Sequence, residues 1–223
     1  KNLKRTVIII TAIIVFLAAM GFTAYPIISS KVNAKYASEI QTTYEAVLQE
    51  ADNSALIDAK EKAIFYNESI TPGASVEDAY SQEALINATR DYDSLLNIAG
   101  DGIMGYVKIP KIDVQLPIYH GTDNDSLERG IGHLLGSSLP VGGESTHTIL
   151  TAHSGMASQK MFSDLPQLEI GDVFYLRILG ETLAYQVDQI KVITPTELGD
   201  VQILEGMDYC TLLTCTPYGI NTH

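Results

Sequence analysis

Residues 103–119 read Ile103-Met104-Gly105-Tyr106-Val107-Lys108-Ile109-Pro110-Lys111-Ile112-Asp113-Val114-Gln115-Leu116-Pro117-Ile118-Tyr119. Two short apolar or alternating runs, Met104 to Ile109 and Val114 to Tyr119, are separated by a break that carries Pro and Asp, the grammar of strands and turns. The pattern continues downstream through Thr146 to His153, Val173 to Leu179, Leu183 to Ile193 and Tyr209 to Cys215. The intervening breaks carry turn residues, as at Pro140 to Gly143, Gly171-Asp172 and Gly180. Helical patterns do not alternate with these runs, so a parallel α/β sheet is disfavoured and a mainly antiparallel sandwich or barrel is expected from residue 102 to 223. No internal repeat is visible.

Upstream the composition is different. Lys1, Lys4 and Arg5 precede an almost unbroken apolar run from Val7 to Phe22, and the first acidic residue is Glu39. At ~1.5 Å per residue the stretch from Val7 to Tyr25 spans about 28 Å as a helix, close to the hydrocarbon thickness of a bilayer. A cleaved signal peptide shares the basic start and apolar run, but no clear A-x-A site follows, and an uncleaved anchor over residues 1–30 is the favoured reading. Positive residues at the start then hold the N-terminus in the cytoplasm and send the remainder outside. Residues 31–66 read as a helical arm. Tyr36, Ile40, Tyr44, Val47, Leu48 and Ala51 share one face, and Asn53 and Ser54 are candidate caps for a second helix through Ile57, Ala59, Ala63, Ile64 and Phe65. Residues 67–101 are polar with little periodicity beyond a short helical pattern around Ser81 to Asn87, which suits a linker or a lid.

The whole chain of 223 residues carries a formal charge of −13, with 14 Lys+Arg against 27 Asp+Glu. The first five residues hold +3 and the remainder −16, so nucleic acid is an unsuitable partner. With 46% hydrophobic residues a real core is available, and two cysteines exclude a disulfide-rich scaffold. Cys215 ends the run Thr211-Leu212-Leu213-Thr214-Cys215 and is followed by Thr216-Pro217-Tyr218-Gly219, so a strand holds the thiol where the chain turns away. A small buried hydrophobe is the alternative for such a residue. Cys210, five residues earlier, points to the other face and reads as core.

His153 also ends a run, before Ser154-Gly155, and a histidine near a thiol can take its proton or stabilise the thiolate. His147 lies six residues before it on the same run, which leaves a metal site as an alternative, but no H-x-x-x-H or C-x-x-C spacing supplies further ligands. His120, beside Gly121, reads as a solvated turn residue with a role near a cleft left open. The glycine-rich stretch Gly136 to Ser145 lacks the Lys of a phosphate loop. Asp123, Asp125 and Glu128 lack the remaining ligand order of a calcium loop. No cofactor and no metal is implied.

Taken together, the apolar start, the β region, Thr151-Ala152-His153-Ser154-Gly155 and Thr211-Leu212-Leu213-Thr214-Cys215-Thr216-Pro217-Tyr218-Gly219 resemble the sortases, membrane-anchored cysteine transpeptidases of Gram-positive bacteria. The T-L-x-T-C element is matched at Thr211, Leu212, Thr214 and Cys215, and the histidine element at His153. The stretch from Cys215 to His223, Tyr106 to Ile112 and Ser138 to Gly143 are similar to class C, the pilus-assembling branch.

The resemblance implies a closed β-barrel of about eight strands with short helices, preceded by a transmembrane helix and helical arm. It also implies Cys215 as nucleophile and His153 as its acid–base partner. Substrates would be pilin subunits bearing an LPxTG-like C-terminal signal and an acceptor lysine. An essential arginine is expected immediately after His223, and a second hydrophobic segment beyond it. The resemblance to class C also implies a lid with an Asp-Pro-aromatic anchor, for which Asp78-Ala79-Tyr80, with alanine in place of proline, is the best candidate; the alternative is that Asp78 and Tyr80 only decorate a loop. Two other readings are a housekeeping sortase that joins proteins to cell-wall peptide and an idle module that only binds a sorting peptide.

Overall fold

The computed structural model describes residues 2–70, 91–156, 159–194 and 201–216. Helix α1 runs from Asn2 to Glu50 without interruption, 49 residues and roughly 73 Å of length. It continues through Pro26, where the sequence marked the change from anchor to arm. Large apolar side chains such as Val7, Ile14, Phe22, Ile28 and Val32 are exposed, Phe22 by 83%, and the helix is long and apolar enough to cross a bilayer. The expected apolar face meets the barrel only from Ile40 onward. Tyr44 (2% exposed) and Leu48 are buried, whereas Tyr36 remains at the surface.

Helix α2, Asn53–Ser69, forms as expected but is capped differently. Its cap is Asp52 rather than Asn53 or Ser54, because the Asp52 carboxylate accepts the Ser54 N–H at 3.3 Å and the Ser54 hydroxyl at 2.8 Å. Its inner face is Ala63, Tyr66 and Asn67, while Ile57, Ile64 and Phe65 lie outward. A buried asparagine helps to fix this face. The Asn67 side chain donates to the Leu139 carbonyl at 3.1 Å and accepts the Leu139 N–H at 2.7 Å, satisfying both groups of one loop residue.

Seven strands form one sheet: β1 Ile103–Ile109, β2 Val114–His120, β3 Ile131–His133, β4 Thr146–Thr151, β5 Val173–Ile178, β6 Glu181–Gln186 and β7 Asp208–Leu213. The order β6-β5-β1-β2-β3-β4-β7 curls so that its two edge strands face each other in a nearly closed barrel. Across that seam the Tyr185 hydroxyl donates to the Asp208 carboxylate at 2.8 Å. The fold is mainly β, as expected, with seven strands among the described residues.

The expected run Leu183 to Ile193 leaves the sheet after Gln186. Strand β3 and the short helix α3, Asn124–Arg129, were not legible as elements. Three residues are too few to show a period, and Asp123 caps α3 by accepting the Ser126 N–H at 3.0 Å instead of serving a calcium loop. Pro117 sits inside β2 without breaking it, because β3 begins to pair only at Ile118. Gly105 in β1 is fixed by crowding, since a Cβ there would lie 2.3 Å from the Arg177 carbonyl oxygen. Tyr92 and Leu96, in the segment read as lid-like, are buried in the barrel core.

The arm is joined to the barrel by polar bonds as well as packing. The Tyr44 hydroxyl donates to the Met104 carbonyl and accepts the Leu179 N–H, both at 3.0 Å. Beside it Arg177 meets Glu45 at 3.0 Å, and the Tyr106 hydroxyl donates to the same carboxylate at 2.7 Å. The Arg177 guanidinium and the Tyr106 hydroxyl hold the Glu45 carboxyl below the usual carboxylate range, against the opposing effect of burial. Leu179 adopts φ 48° in the β5–β6 turn ahead of Gly180, a conformation costly for a leucine, and the Tyr44 bond holds it there. Tyr44→Phe leaves the Leu179 N–H and the Met104 carbonyl buried without that partner and is expected to lower unfolding free energy by about 2 kcal/mol. Urea denaturation checks this, and a loss below about 0.5 kcal/mol would contradict the clamp.

Candidate active site

Strands β4 and β7 pair in parallel, from Thr146 opposite Asp208 to Thr151 opposite Leu213. The sheet is therefore not uniformly antiparallel, and this departure carries the site. Residues at equal offsets along two parallel strands stay level, so His153 and Cys215, each two residues past the last pair, emerge side by side. The backbone bond from the Ala152 N–H to the Leu213 carbonyl, 3.2 Å, carries the ladder one step beyond the strand ends. Two hydroxyls bridge the next positions. Thr214 Oγ1 donates to the Ala152 carbonyl at 2.8 Å, and Ser154 Oγ donates to the Cys215 carbonyl at 2.7 Å.

The loop that bears His153 is fastened on its far side too. The Phe162 N–H donates to the His153 carbonyl at 3.0 Å, and the Gly155 N–H donates to Ser163 Oγ at 3.0 Å. Met161 and Phe162 below them are almost fully buried. His153 is half-buried, and Cys215 is exposed and unpaired as a free thiol.

Alternation along β7 separates the two cysteines. Cys210 and Leu212 pack against the barrel core, whereas Leu213 faces an outer cluster with Ile149, Val201 and Leu134. Burial, with the Asp208 carboxylate adding to it, pushes the Cys210 thiol far up, so it stays protonated and inert.

His147 and His120 are structural. His147 directs Nδ1 to the Gln202 carbonyl at 2.8 Å and Nε2 to the Thr211 hydroxyl at 2.7 Å, so both ring nitrogens are taken. His120 is 9% exposed, not a solvated turn residue, and its ring contacts the carbonyls of Leu95 and Gly102. No group of three or more His, Cys, Asp or Glu able to hold a metal occurs among the described residues. Arg129 stacks on the Tyr119 ring at 4.2 Å and Arg177 is paired with Glu45, so neither barrel arginine is turned to Cys215. Asp78, Tyr80, Asn221, Thr222 and His223 lie outside the described residues.

The barrel thus carries a cysteine and a histidine just past the adjacent ends of two parallel strands. The model of the sortase domain matches residues 107–223, more than half of the chain, and the chain belongs to the sortase family. Among solved structures, sortase C of Streptococcus pneumoniae is 40% identical, with a TM-score of 0.73 over 83% of this chain and 92% of that one. Sortase C1 of Streptococcus agalactiae is 45% identical, with a TM-score of 0.75 over 83% and 93%. Sortase D of Bacillus subtilis (strain 168) is 30% identical over 114 residues, 51% of this chain and 54% of that protein. The chain thus spans about half the length of the curated relatives it matches.

Behind β4 lies a fully buried histidine that the sequence reading did not single out. His133 Nε2–H donates to the Ser138 carbonyl at 2.9 Å, which leaves Nδ1 to accept the Tyr92 hydroxyl at 2.7 Å. The neighbouring Ser137 and Ser138 hydroxyls accept the Ile149 and His147 N–H groups, completing the edge of β4. Burial pushes the His133 ring down to about 4, with the Ser138 carbonyl opposing that shift. Unfolded, it takes up a proton near its ordinary 6.5. Between those values the unfolded state binds the extra proton, so stability is lost as pH falls, by about 3 kcal/mol from this group. His133→Gln is expected to flatten the dependence of unfolding free energy on pH between pH 6.5 and 4, and identical slopes in variant and wild type would contradict it.

Proposed function

We propose that the chain is a cysteine transpeptidase that cleaves an LPxTG-like sorting signal and joins it to an amine, with Cys215 and His153 as its reacting groups. The observation that supports this best is the parallel β4–β7 register, which delivers an exposed thiol and an imidazole to the same end of the barrel. The Cys215 thiolate attacks the threonine carbonyl of the signal, His153 protonates the leaving amine, and a thioacyl enzyme remains. Covalent capture conserves the energy of the cleaved peptide bond for the new one. A lysine amine then attacks the thioester, gives its proton to the His153 left neutral by the first step, expels the thiolate and forms an isopeptide bond. No metal or organic cofactor takes part in these steps.

Pilin subunits are the proposed substrates. The structures of 40–45% identity are of class C, and the report on the Streptococcus pneumoniae enzyme concerns pilin substrate specificity. Helix α1 is the proposed anchor, with Lys4 and Arg5 at the cytoplasmic face and the acidic barrel outside. Asp78 and Tyr80 are proposed as a lid over the thiol.

Cys215→Ala is expected to abolish release of a quenched fluorescent LPxTG-type peptide without changing the thermal melt, and full release by the variant would contradict the assignment. Peptide binding without release by the wild-type chain would favour the idle binding module, and transfer to wall peptide but not to pilin lysine would favour the housekeeping reading. Replacing Asp78 and Tyr80 with alanine is expected to raise the rate at which iodoacetamide labels Cys215; an unchanged rate would remove the lid role.

A further inference from the structure

Beyond Thr151 and Leu213 the regular ladder stops, yet His153 and Cys215 both lie beyond it. A carbonyl past the end of a strand has lost its ladder donor and needs another partner when it is partly buried. The partner that Cys215 finds is Ser154, 9% exposed, whose hydroxyl lies 2.7 Å from the Cys215 carbonyl oxygen. In the reciprocal direction Thr214 donates to the Ala152 carbonyl at 2.8 Å. The residue after the histidine therefore holds the nucleophile's own carbonyl, and the residue before the nucleophile holds the carbonyl before the histidine. Neither bond uses the thiol or the imidazole, which stay free to react.

We propose that Ser154 is a positioning residue, whose hydroxyl sets the separation of the Cys215 thiol from the His153 imidazole by bonding the Cys215 main chain. This rests on the assignment of Cys215 and His153 as the reacting pair. Ser154 is suited to the task because it is itself fixed. Its backbone is continuous with the His153 carbonyl, bonded by the Phe162 N–H, and with Gly155, which turns the chain at φ 78° and is bonded to Ser163. Without the hydroxyl, Cys215 itself loses its bond to the histidine loop, the remaining links among the described residues lie one and two residues back at Thr214 and Leu213, and the two catalytic side chains are free to drift apart. Misplacement of about 1 Å can cost on the order of 10²-fold in rate. Because the strands themselves remain paired, the expected loss of kcat for Ser154→Ala is smaller, about tenfold, with KM for the peptide within about twofold of wild type.

The experiment compares wild type, Ser154→Ala, Ser154→Thr, Cys215→Ala and His153→Ala in the full chain. It reads kcat and KM with the quenched LPxTG-type peptide, the rate and pH profile of iodoacetamide alkylation mapped to Cys215, and the thermal melt. The proposal expects Ser154→Ala to lose kcat, to displace the alkylation profile toward that of His153→Ala, and to be rescued by Ser154→Thr, which keeps the hydroxyl. It is overturned if Ser154→Ala matches wild type in kcat. It is also overturned if the variant loses melting temperature and kcat together while the alkylation profile stays as in wild type, since that is a merely structural role. Undiminished turnover by Cys215→Ala or His153→Ala would instead remove the reacting pair itself, which separates failure of the pair from failure of the staple.

Discussion

Parallel pairing between β4 and β7 is the constraint on which the remaining architecture depends. In an antiparallel pair, adjacent strand ends carry residues from opposite ends of the two runs, and Thr151 and Leu213 would lie at opposite rims of the barrel. Pairing in parallel puts both C-terminal ends on one rim, and the register from Thr146–Asp208 to Thr151–Leu213 leaves His153 and Cys215 level. A parallel pair cannot be closed by a tight turn. The chain between β4 and β7 accordingly holds β5 and β6, which complete the sheet and bring the β6 edge against β7 through Tyr185 and Asp208. Barrel closure and site assembly are thus consequences of one pairing.

The arm is built into that barrel rather than appended to it. Tyr44 bonds β1 and the β5–β6 turn at once, Glu45 is held by Arg177 and Tyr106, and Asn67 closes on both main-chain groups of Leu139. The same helix that carries Tyr44 carries the apolar stretch from Val7, with no break at Pro26. In the proposed anchoring this makes the approach of the barrel to the bilayer a matter of helix geometry rather than of a flexible linker.

Much of this was legible in the sequence, for identifiable reasons. Short apolar or alternating runs with Gly, Pro or Asp nearby marked β1, β2, β4, β5 and β7 closely. Cys215 and His153 stood out because each ends an apolar run at a turn. What sequence could not supply was long-range pairing. That β4 and β7 run in parallel depends on what closes the sheet, not on either run alone. Strand β3 owes its existence to its neighbours, since Ile131 to His133 has no period of its own. The inner face of α2 could not be read from the sequence, because Ala63 and Tyr66 pack on the barrel beside an asparagine, Asn67, whose two buried bonds to Leu139 depend on a distant loop. His120 looked like a turn residue beside Gly121, but its ring fills the space against Leu95 and Gly102.

The proposed chemistry is committed to one covalent species. Mixing the full chain with an LPxTG-type peptide, quenching in acid and mapping the products by mass spectrometry would reveal it directly. A thioacyl adduct, with the mass of the peptide cleaved after threonine, is expected on Cys215 and not on Cys210. Peptide cleavage with no adduct on Cys215, or an adduct carried by another residue, would contradict it.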